Sequence, residues 1–281
     1  MSVVVSIGNC WAGLAAVKRL VIFGASYCDV GYDSQSPHPT PENPLGVEFP
    51  GITYCEPGKP NFVGHLVRQV NAHRENTSSI LAYDYAIGGE RADGVRRQVR
   101  QQFLPSLAPK PDWAPWRSND TLFLTWVGIN DCAVNTRTLD PASVTQQSID
   151  ELFGAQEEAY QAGARNFCFV DVPPTYKFPN RPKSLKAEFT VLTWNAKLGE
   201  AARAFAAAHP DATVLIWSSW HLFSRMFNDP ESFGFREEDP AEDEGGIFVD
   251  GLHPTSAVHA IIAAQILDFL SEVSVAPQAV G

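Results

Sequence analysis

Short apolar runs alternate along this chain with longer segments of helical spacing. The first run, residues 20–23, reads Leu-Val-Ile-Phe and is ended by Gly24. Four more runs with strand character follow, at residues 80–86, 121–127, 166–170 and 213–217. A continuous apolar run of this length is typical of a parallel strand that is buried on both faces. The pattern therefore predicts five buried parallel strands.

The segments between these runs predict helices. Their ranges are residues 62–72, 94–103, 141–163, 184–208, 220–227 and 256–270. In the longest of them, the apolar residues expected to face the core are Phe189, Leu192, Leu198 and Phe205. Strands that alternate with helices indicate βαβ units with right-handed crossovers. We therefore expect an α/β fold with a parallel sheet.

Two stretches without helical or strand periodicity predict long loops. Residues 32–60 are rich in Pro, Gly, Ser and Asn, and a loop of that length commonly forms a wall or lid of a functional site. Residues 231–244 are acidic and are expected to form a solvated loop. No repeat or linker divides the chain. We expect one domain over residues 1–281, with an N-terminal extension at 1–18 and a C-terminal tail at 271–281.

Composition narrows the classes of partner. The chain has 281 residues, of which 44% are hydrophobic and 19% charged, as in ordinary globular proteins. Its net charge of −11 argues against nucleic acid or an anionic membrane as the main partner and favours a neutral substrate. Residues 1–7 are apolar but lack Lys and Arg, so they predict neither a typical signal peptide nor a membrane span. An intracellular location is expected if the chain starts here, and secretion if a leader was removed.

Cysteines and histidines give no sign of a metal site. The five cysteines are scattered and form no C-x-x-C pair, and the seven histidines form no ligand-spaced pair with carboxylates. His259, two turns into the last predicted helix, is expected to be structural. We therefore predict no bound metal.

Small or polar residues follow each of the first three predicted strands. Ser26 follows the first strand, Gly89 the second and Asn130 the third. Taken alone, these residues are typical of a helix N-cap, a tight turn and a helix entry. The carboxyl ends of parallel strands open on one edge of the sheet, however. We therefore expect Ser26, Gly89 and Asn130 to converge there.

The segment Asp250-Gly-Leu-His253 lies before the last predicted helix. Its spacing can place the Asp250 carboxylate against one imidazole nitrogen of His253 while the other nitrogen faces Ser26. Ester hydrolysis needs a nucleophile, a base, an acidic residue that holds the base, and donors for the oxyanion. The backbone N–H groups of Ser26 and Gly89 and the side-chain amide of Asn130 are the predicted donors. Together these residues indicate a serine ester hydrolase.

The classical α/β-hydrolase arrangement is excluded by the sequence around the serine. That fold carries its nucleophile in a central G-x-S-x-G elbow. Ser26 lies near the N-terminus instead, and Cys28 occupies the position of the second glycine.

The motifs resemble those of the SGNH, or GDSL-type, hydrolases. The family signatures are G-D-S near the N-terminus, a block glycine, G-x-N-D and a C-terminal D-x-x-H. They correspond here to Gly24-Ala-Ser26, Gly89, Gly128-Ile-Asn-Asp131 and Asp250-Gly-Leu-His253, in the same order over nearly the whole chain. Shorter stretches, such as Trp11-Ala-Gly13 and Val172-Pro-Pro174, resemble the fungal carbohydrate acetylesterases. One position departs from the family pattern, because Ala25 stands where the family has an aspartate that is not part of the triad.

The resemblance implies a flavodoxin-like fold, a three-layer α/β/α sandwich whose five parallel strands have the order 2-1-3-4-5. It also implies a carboxylic ester hydrolase that removes short acyl groups, above all acetyl, from sugars or other small alcohols through an acyl-enzyme. Ser26, Asp250 and His253 would be the catalytic residues, and no cofactor would be needed. Ile129 and Leu252, inside the motifs, are expected to contact the substrate.

Two other functions stay open at this point. The same serine chemistry could pass the acyl group to an acceptor alcohol, which would make the protein an acyltransferase. Ala25 also suggests a catalytically weakened binding protein on an esterase scaffold. Neither the identity of the acyl and alcohol portions nor the oligomeric state follows from the sequence.

Overall fold

A six-stranded mixed sheet forms the centre of the protein. The computed structural model describes residues 1–72, 74 and 79–275. The strands in chain order are β1 (Val3–Ser6), β2 (Arg19–Gly24), β3 (Leu81–Asp84), β4 (Thr121–Trp126), β5 (Asn166–Val170) and β6 (Thr213–Trp217). They lie in the order β1-β6-β5-β4-β2-β3. The five predicted strands are thus confirmed, as are their parallel pairing and their order.

The prediction of a five-stranded parallel sheet was wrong by one strand, because β1 adds an antiparallel strand at the β6 edge. Val3 pairs with Ile216, and Ser6 pairs with Val214 after an irregularity in the register. The Ser6 hydroxyl donates to the Ala212 carbonyl at 3.0 Å. Val3 to Val5 are apolar, but Val3 and Val4 are exposed at this edge and the strand has only four residues. An apolar run this short does not by itself indicate a strand.

Helices cover the sheet in two groups. Their bounds are α1 (Phe62–Asn71), α2 (Ala92–Gln98), α3 (Leu104–Ser106), α4 (Ile129–Asn135), α5 (Pro141–Gln161), α6 (Leu185–Ala208), α7 (Ser219–Asn228) and α8 (Ser256–Glu272). A π-helical stretch, Val99–Phe103, joins α2 to α3. The helices α1 and α8 pack together, and α2, α4, α5 and α6 form the other group. This is the predicted α/β/α sandwich.

The predicted core face of α6 was only half right. Leu198 and Phe205 are buried, whereas 52% of Phe189 and 44% of Leu192 are exposed. The buried face instead runs through Val191 and Trp194. Apolar side chains occur on several faces of this helix, so the sequence pattern alone does not identify the face that packs on the sheet.

The acidic stretch at residues 231–244 is not fully solvated as predicted, because Asp239 is buried within it. The Asp239 carboxylate accepts hydrogen bonds from the backbone N–H of Arg236 at 2.8 Å and of Gly246 at 3.2 Å. The Arg236 guanidinium also donates to it at 2.6 Å. This buried carboxylate orders the loop that leads to Asp250.

The order of the strands sets the place of the site. β2 lies between β3 and β4, so the carboxyl ends of the first three predicted strands are neighbours.

Among the described residues, no helix combines the length and the apolar character needed to cross a membrane.

Candidate active site

Ser26 lies in a tight turn directly after β2, and only 9% of it is exposed. The N–H groups of Cys28 and Asp29 both donate to the Ala25 carbonyl, at 2.9 and 3.1 Å, and so form one helical turn. Gly24 is required at the end of the strand, since a Cβ there would lie 2.5 Å from the Trp126 carbonyl oxygen. Glycine at this position therefore allows β2 to lie close to β4 where the chain leaves the sheet for Ser26.

Two amide side chains hold this turn from outside. The buried Gln98 side chain accepts from the Gly24 N–H at 2.9 Å and donates to the Gly24 carbonyl at 2.8 Å. The buried Asn61 side chain donates to the carbonyls of Cys28 and Asp29, at 2.7 and 3.0 Å. These bonds use none of the atoms of the residue 25 side chain. The turn accordingly keeps its shape with alanine at that position.

Ser26, His253 and Asp250 form a hydrogen-bonded chain. His253 Nε2 lies 2.9 Å from the Ser26 hydroxyl oxygen, and His253 Nδ1 lies 2.7 Å from Asp250 Oδ2. Partial burial of Asp250 opposes its ionisation. The hydrogen bonds from the His253 backbone and ring outweigh that effect, and they lower the pKa of Asp250. A carboxylate that stays ionised fixes the imidazole tautomer whose free Nε2 faces the serine.

The turn from Asp250 to His253 is held by its own carboxylate. Asp250 Oδ1 accepts from the N–H groups of Leu252 at 3.0 Å and His253 at 2.7 Å. Gly251 has a φ of +71°, which favours glycine. The Tyr27 hydroxyl, from the nucleophile turn, donates to the Leu252 carbonyl at 2.6 Å. The serine and histidine segments are therefore joined by a bond beside the triad as well as through it.

The predicted oxyanion donors lie at the ends of β2, β3 and β4. Among the described residues, the backbone N–H groups of Ser26 and Gly89 have no hydrogen-bond partner. Gly89 has a φ of +81°, and the space where its Cβ would stand is open. The preceding N–H, of Gly88, is held by Asp29 Oδ2 at 2.7 Å. A turn fixed in this way presents the Gly89 N–H without a competing acceptor.

Asn130 is held in the first turn of α4. Gly128 precedes the helix with a φ of 119°, and a Cβ there would meet the Trp194 ring at 2.3 Å. The Asn130 side-chain nitrogen donates to the Glu90 carbonyl at 3.0 Å. An amide nitrogen carries two hydrogens, so the second remains available for a ligand.

The long loop over residues 32–60 forms a wall of the site, as predicted. The Tyr54 ring stands over the His253 ring, with 5.0 Å between their centroids. Tyr54 and His253 line an open groove of about 560 Å³ that also includes Glu56, Glu244 and Asp250. Glu56 is fixed there by the Ser256 N–H at 2.8 Å. This side of the triad is therefore acidic.

The two predicted substrate-contacting residues have different positions. Ile129 lines a small cavity of about 60 Å³ between α4 and the beginning of α6. Leu252 is half-buried in the triad turn, and its backbone bonds to Asp250 and Tyr27. Ile129 thus borders a space that a ligand can enter, whereas Leu252 supports the turn.

Several supporting residues were not found by sequence reasoning, namely Asp29, Asn61, Gln98 and Tyr54. Their partners are backbone groups or rings far along the chain, and no local motif marks such pairs. Asp29 carried a partial signal, since an aspartate two residues before Gly31 is typical of a turn that it caps.

His259 is structural, as predicted. It is buried with its ring edge-to-face against Tyr27, at 5.8 Å between centroids. Burial, together with the nearby His65 and His253, lowers the pKa of His259 to about 3. In the part of the chain that the structure describes, no group of three or more His, Cys, Asp or Glu side chains is arranged to hold a metal ion.

Comparisons with known proteins agree with this geometry. Residues 20–266 match the family model of GDSL-like lipases and acylhydrolases. An acetylesterase from Thermothelomyces thermophilus is 31% identical over 275 residues, which cover 90% of this chain and 88% of that protein.

Solved structures share the fold at low sequence identity. An acetylxylan esterase from Geobacillus stearothermophilus matches with a TM-score of 0.55 and 14% identity over 98% of this chain and all of that one. A lipolytic protein of the G-D-S-L family from Veillonella parvula matches with a TM-score of 0.51 and 15% identity over 91% of this chain and 99% of that one. The family resemblance read from the four sequence motifs is confirmed, and the chain belongs to the GDSL-like lipase/acylhydrolase family.

Proposed function

We propose that this protein hydrolyses short acyl esters, acetyl esters above all, of sugars or other small alcohols. The observation that carries the proposal is the 2.9 Å contact between His253 Nε2 and the Ser26 hydroxyl, with Asp250 on the opposite ring nitrogen. The N–H groups of Ser26 and Gly89, which follow the neighbouring strands β2 and β3, have no hydrogen-bond partner among the described residues. The similarity to an acetylesterase supports the acetyl group as the one removed.

In the first half of the reaction, Ser26 Oγ attacks the carbonyl carbon of the ester. Its proton passes to His253 Nε2, and the carbonyl oxygen becomes an oxyanion. The N–H groups of Ser26 and Gly89 and the free hydrogen of the Asn130 amide donate to that oxygen. The carbon–oxygen bond to the alcohol then breaks, and the alcohol leaves with the proton from His253. The product is an acyl-enzyme on Ser26.

In the second half, water takes the place of the alcohol. His253 accepts a proton from the water as its oxygen attacks the acyl carbon, and the same donors hold the second oxyanion. Collapse returns the proton to Ser26 Oγ and releases the carboxylic acid. Asp250 keeps its negative charge throughout and stabilises the imidazolium that forms twice.

The test uses p-nitrophenyl esters from acetate to octanoate, with and without a polyol as acceptor. We expect the highest kcat/KM for acetate and a steady fall with chain length. Ser26→Ala and His253→Ala should each lower kcat on the order of 10⁴-fold or more, with unchanged melting temperature.

Other outcomes would assign the protein differently. A maximum at eight carbons or longer would indicate a lipase. Acyl transfer to the polyol faster than hydrolysis would indicate an acyltransferase. Absence of turnover together with no labelling of Ser26 by a fluorophosphonate would leave a binding protein.

A further inference from the structure

A basic segment lies beside the triad of this acidic protein. Residues 175–187 contain four cationic side chains and no Asp or Glu, although the whole chain has a net charge of −11. The four are Lys177, Arg181, Lys183 and Lys186. Positive charge concentrated at one place in a negatively charged protein is a local feature that requires its own explanation.

Hydrogen bonds attach this segment to the triad turn. The Asn180 N–H donates to the Gly251 carbonyl, and the Asn180 side chain donates to the Asp250 carbonyl, each at 3.3 Å. Arg181 follows directly in the chain. It lines the cavity of about 60 Å³ that Ile129, the neighbour of Asn130, borders on another side. The cavity therefore lies next to both the triad turn and the predicted oxyanion donors.

The Arg181 side chain is partly buried. Among the described residues, its side chain forms neither a hydrogen bond nor an ion pair, and its Nε is shut off from solvent. Burial has the largest effect and lowers the pKa of Arg181. Tyr27 opposes it, the charge of Arg137 lowers the pKa further, and Asp250 raises it. Arg137 lines the same cavity and likewise has no ion-pair partner in the described part of the chain.

An unpaired, partly buried guanidinium is energetically unfavourable. It loses hydration without receiving a hydrogen bond, and a second arginine beside it adds repulsion. Other partly buried arginines of this protein are paired, as Arg19 is with Asp120 at 2.9 Å and Arg165 with Asp211 at 2.7 Å. Two arginines that line one cavity without an ion-paired acid among the described residues, Arg181 partly buried and Arg137 exposed, have the character of a ligand site.

We propose that Arg181, assisted by Arg137, binds a carboxylate group of the ester substrate. The proposal rests on the proposed ester hydrolysis and adds a substrate class to it, namely esters that carry a free carboxylate near the scissile bond. A carboxylate matches the planar fork of a guanidinium, which can donate two parallel hydrogen bonds to it. The acidic groove with Glu56 and Glu244 lies by the Tyr54 side of the triad and would repel the same group. The two charged surfaces together fix the orientation of such a substrate.

The carboxylate can belong to either half of the ester, and matched substrate pairs separate the two cases. For the acyl half, the pair is p-nitrophenyl hydrogen succinate and its neutral methyl ester. For the alcohol half, the pair is an acetylated methyl glycoside of a uronic acid and its neutral methyl ester. The measured quantity is the ratio of kcat/KM for the charged member to that for the neutral member.

We expect the wild-type protein to prefer the charged member of one pair. Arg181→Gln should lower the charged-to-neutral ratio of kcat/KM roughly 10- to 100-fold, which is the range for a lost hydrogen bond to a charged group. Arg137→Gln should lower it less. Arg181→Lys should keep part of the preference, because it keeps the charge and loses the fork. Arg203→Gln is the matched control. Arg203 is exposed on α6, about 24 Å further along this helix than Ala187, which lines the cavity. It should leave the ratio unchanged.

Equal ratios in wild type and Arg181→Gln for both pairs would overturn the carboxylate site while p-nitrophenyl acetate is still hydrolysed. Failure of wild type to hydrolyse p-nitrophenyl acetate would remove the proposed function, and the carboxylate site with it. If Arg181→Gln does not fold, as judged by its melting curve, Arg137→Gln carries the same comparison. A ratio unchanged in Arg137→Gln would then overturn the site.

Discussion

Asp29 connects the turn that carries the serine to the turn that carries Gly89. One carboxylate oxygen accepts the Gly31 N–H at 2.7 Å, and the other accepts the Gly88 N–H at 2.7 Å. Burial raises the pKa of Asp29, and these two N–H bonds oppose that rise. Among the described residues, the Asp29 carboxylate bonds to backbone N–H groups and not to Ser26 or His253. We propose that it positions the Gly89 N–H, the proposed oxyanion donor.

Replacing Asp29 by Ala is expected to lower kcat roughly 10- to 100-fold with a small change in KM. A displaced Gly89 N–H would stabilise the transition state less, whereas the affinity for the substrate would change little. Asp29→Asn should recover part of the loss, since its amide oxygen still accepts one N–H. Steady-state kinetics of both variants measure this. A rise in KM at constant kcat would place Asp29 in substrate binding instead.

Asn130→Ala is expected to lower kcat by roughly 10²–10³ with little effect on KM, because one donor to the oxyanion is lost. The bond from Asn130 to the Glu90 carbonyl is also lost, so the melting temperature should be measured in parallel. Asn130→Asp keeps the size but cannot donate to the oxyanion when ionised, and it should be equally slow. An Asn130→Asp variant with wild-type kcat would exclude the amide as a donor.

At the level of single residues, the sequence predicted the groups to which we assign the chemistry, but it did not indicate the groups that hold them. Ser26, Asn130 and His253 stand at strand ends or before a helix, where order in the chain implies proximity. Gln98 and Asn61 contribute through backbone atoms distant in sequence, and a buried amide has no local signature. The closeness of Arg181 to the triad depends on how the segment after β5 folds back.

At the level of elements, the inner strands were predictable because burial on both faces leaves a continuous apolar run. The edge strand β1 and the short helix α4 were not, since neither is long enough to show a period. The wrong face assigned to α6 has a related cause. Phe189 and Leu192 are as apolar as the buried Trp194, and tertiary packing alone decides between them.

The loop at residues 231–244, which leads to Asp250, is expected to depend on the buried Asp239 carboxylate for its stability. Asp239→Ala is expected to lower stability by about 1–3 kcal/mol, because the N–H groups of Arg236 and Gly246 lose their buried acceptor, and the Arg236 guanidinium loses its charged one. Glu238→Ala is the matched control, since Glu238 also pairs with Arg236 but is 55% exposed. It should change stability very little. Thermal melts of the two variants provide the comparison, and equal melting temperatures would show that Asp239 does not order this loop.

For the molecule as a whole, buried carboxyl groups make stability depend on pH. Asp131 follows Asn130 and accepts the Ala92 N–H at 3.1 Å, while its other oxygen is buried and has no hydrogen-bond partner among the described residues. Burial raises the pKa of Asp131 from 3.8 to about 6. The folded protein therefore binds this proton more tightly than the unfolded chain does. The resulting stabilisation is complete below pH 3.8 and is lost as the pH rises through about 6.

Asp131→Asn cannot ionise, so it should become more stable relative to wild type as the pH rises from 4 to 7. The shift from 3.8 to about 6 corresponds to about 3 kcal/mol at ~1.4 kcal/mol per unit. Urea unfolding of both proteins at several pH values measures this difference. Asp93→Asn serves as control, because the hydrogen bond from Arg97 lowers the pKa of that exposed carboxyl and the sign reverses. A difference between Asp131→Asn and wild type that is constant with pH would contradict the assignment.

The support of the nucleophile turn by Gln98 and Asn61 has an evolutionary consequence. Residue 25 lies beside the proposed nucleophile, yet four hydrogen bonds from two distant amides hold the backbone on both sides of it. The backbone of the turn therefore does not depend on the side chain at position 25. An aspartate there can be replaced by alanine without a change in the conformation around Ser26. This tolerance depends on Gln98. If Gln98 were replaced, the turn would lose its support from that amide while residue 25 could not supply a hydrogen bond. We therefore expect epistasis between these positions, with a substitution at Gln98 costing more when residue 25 is alanine than when it is aspartate.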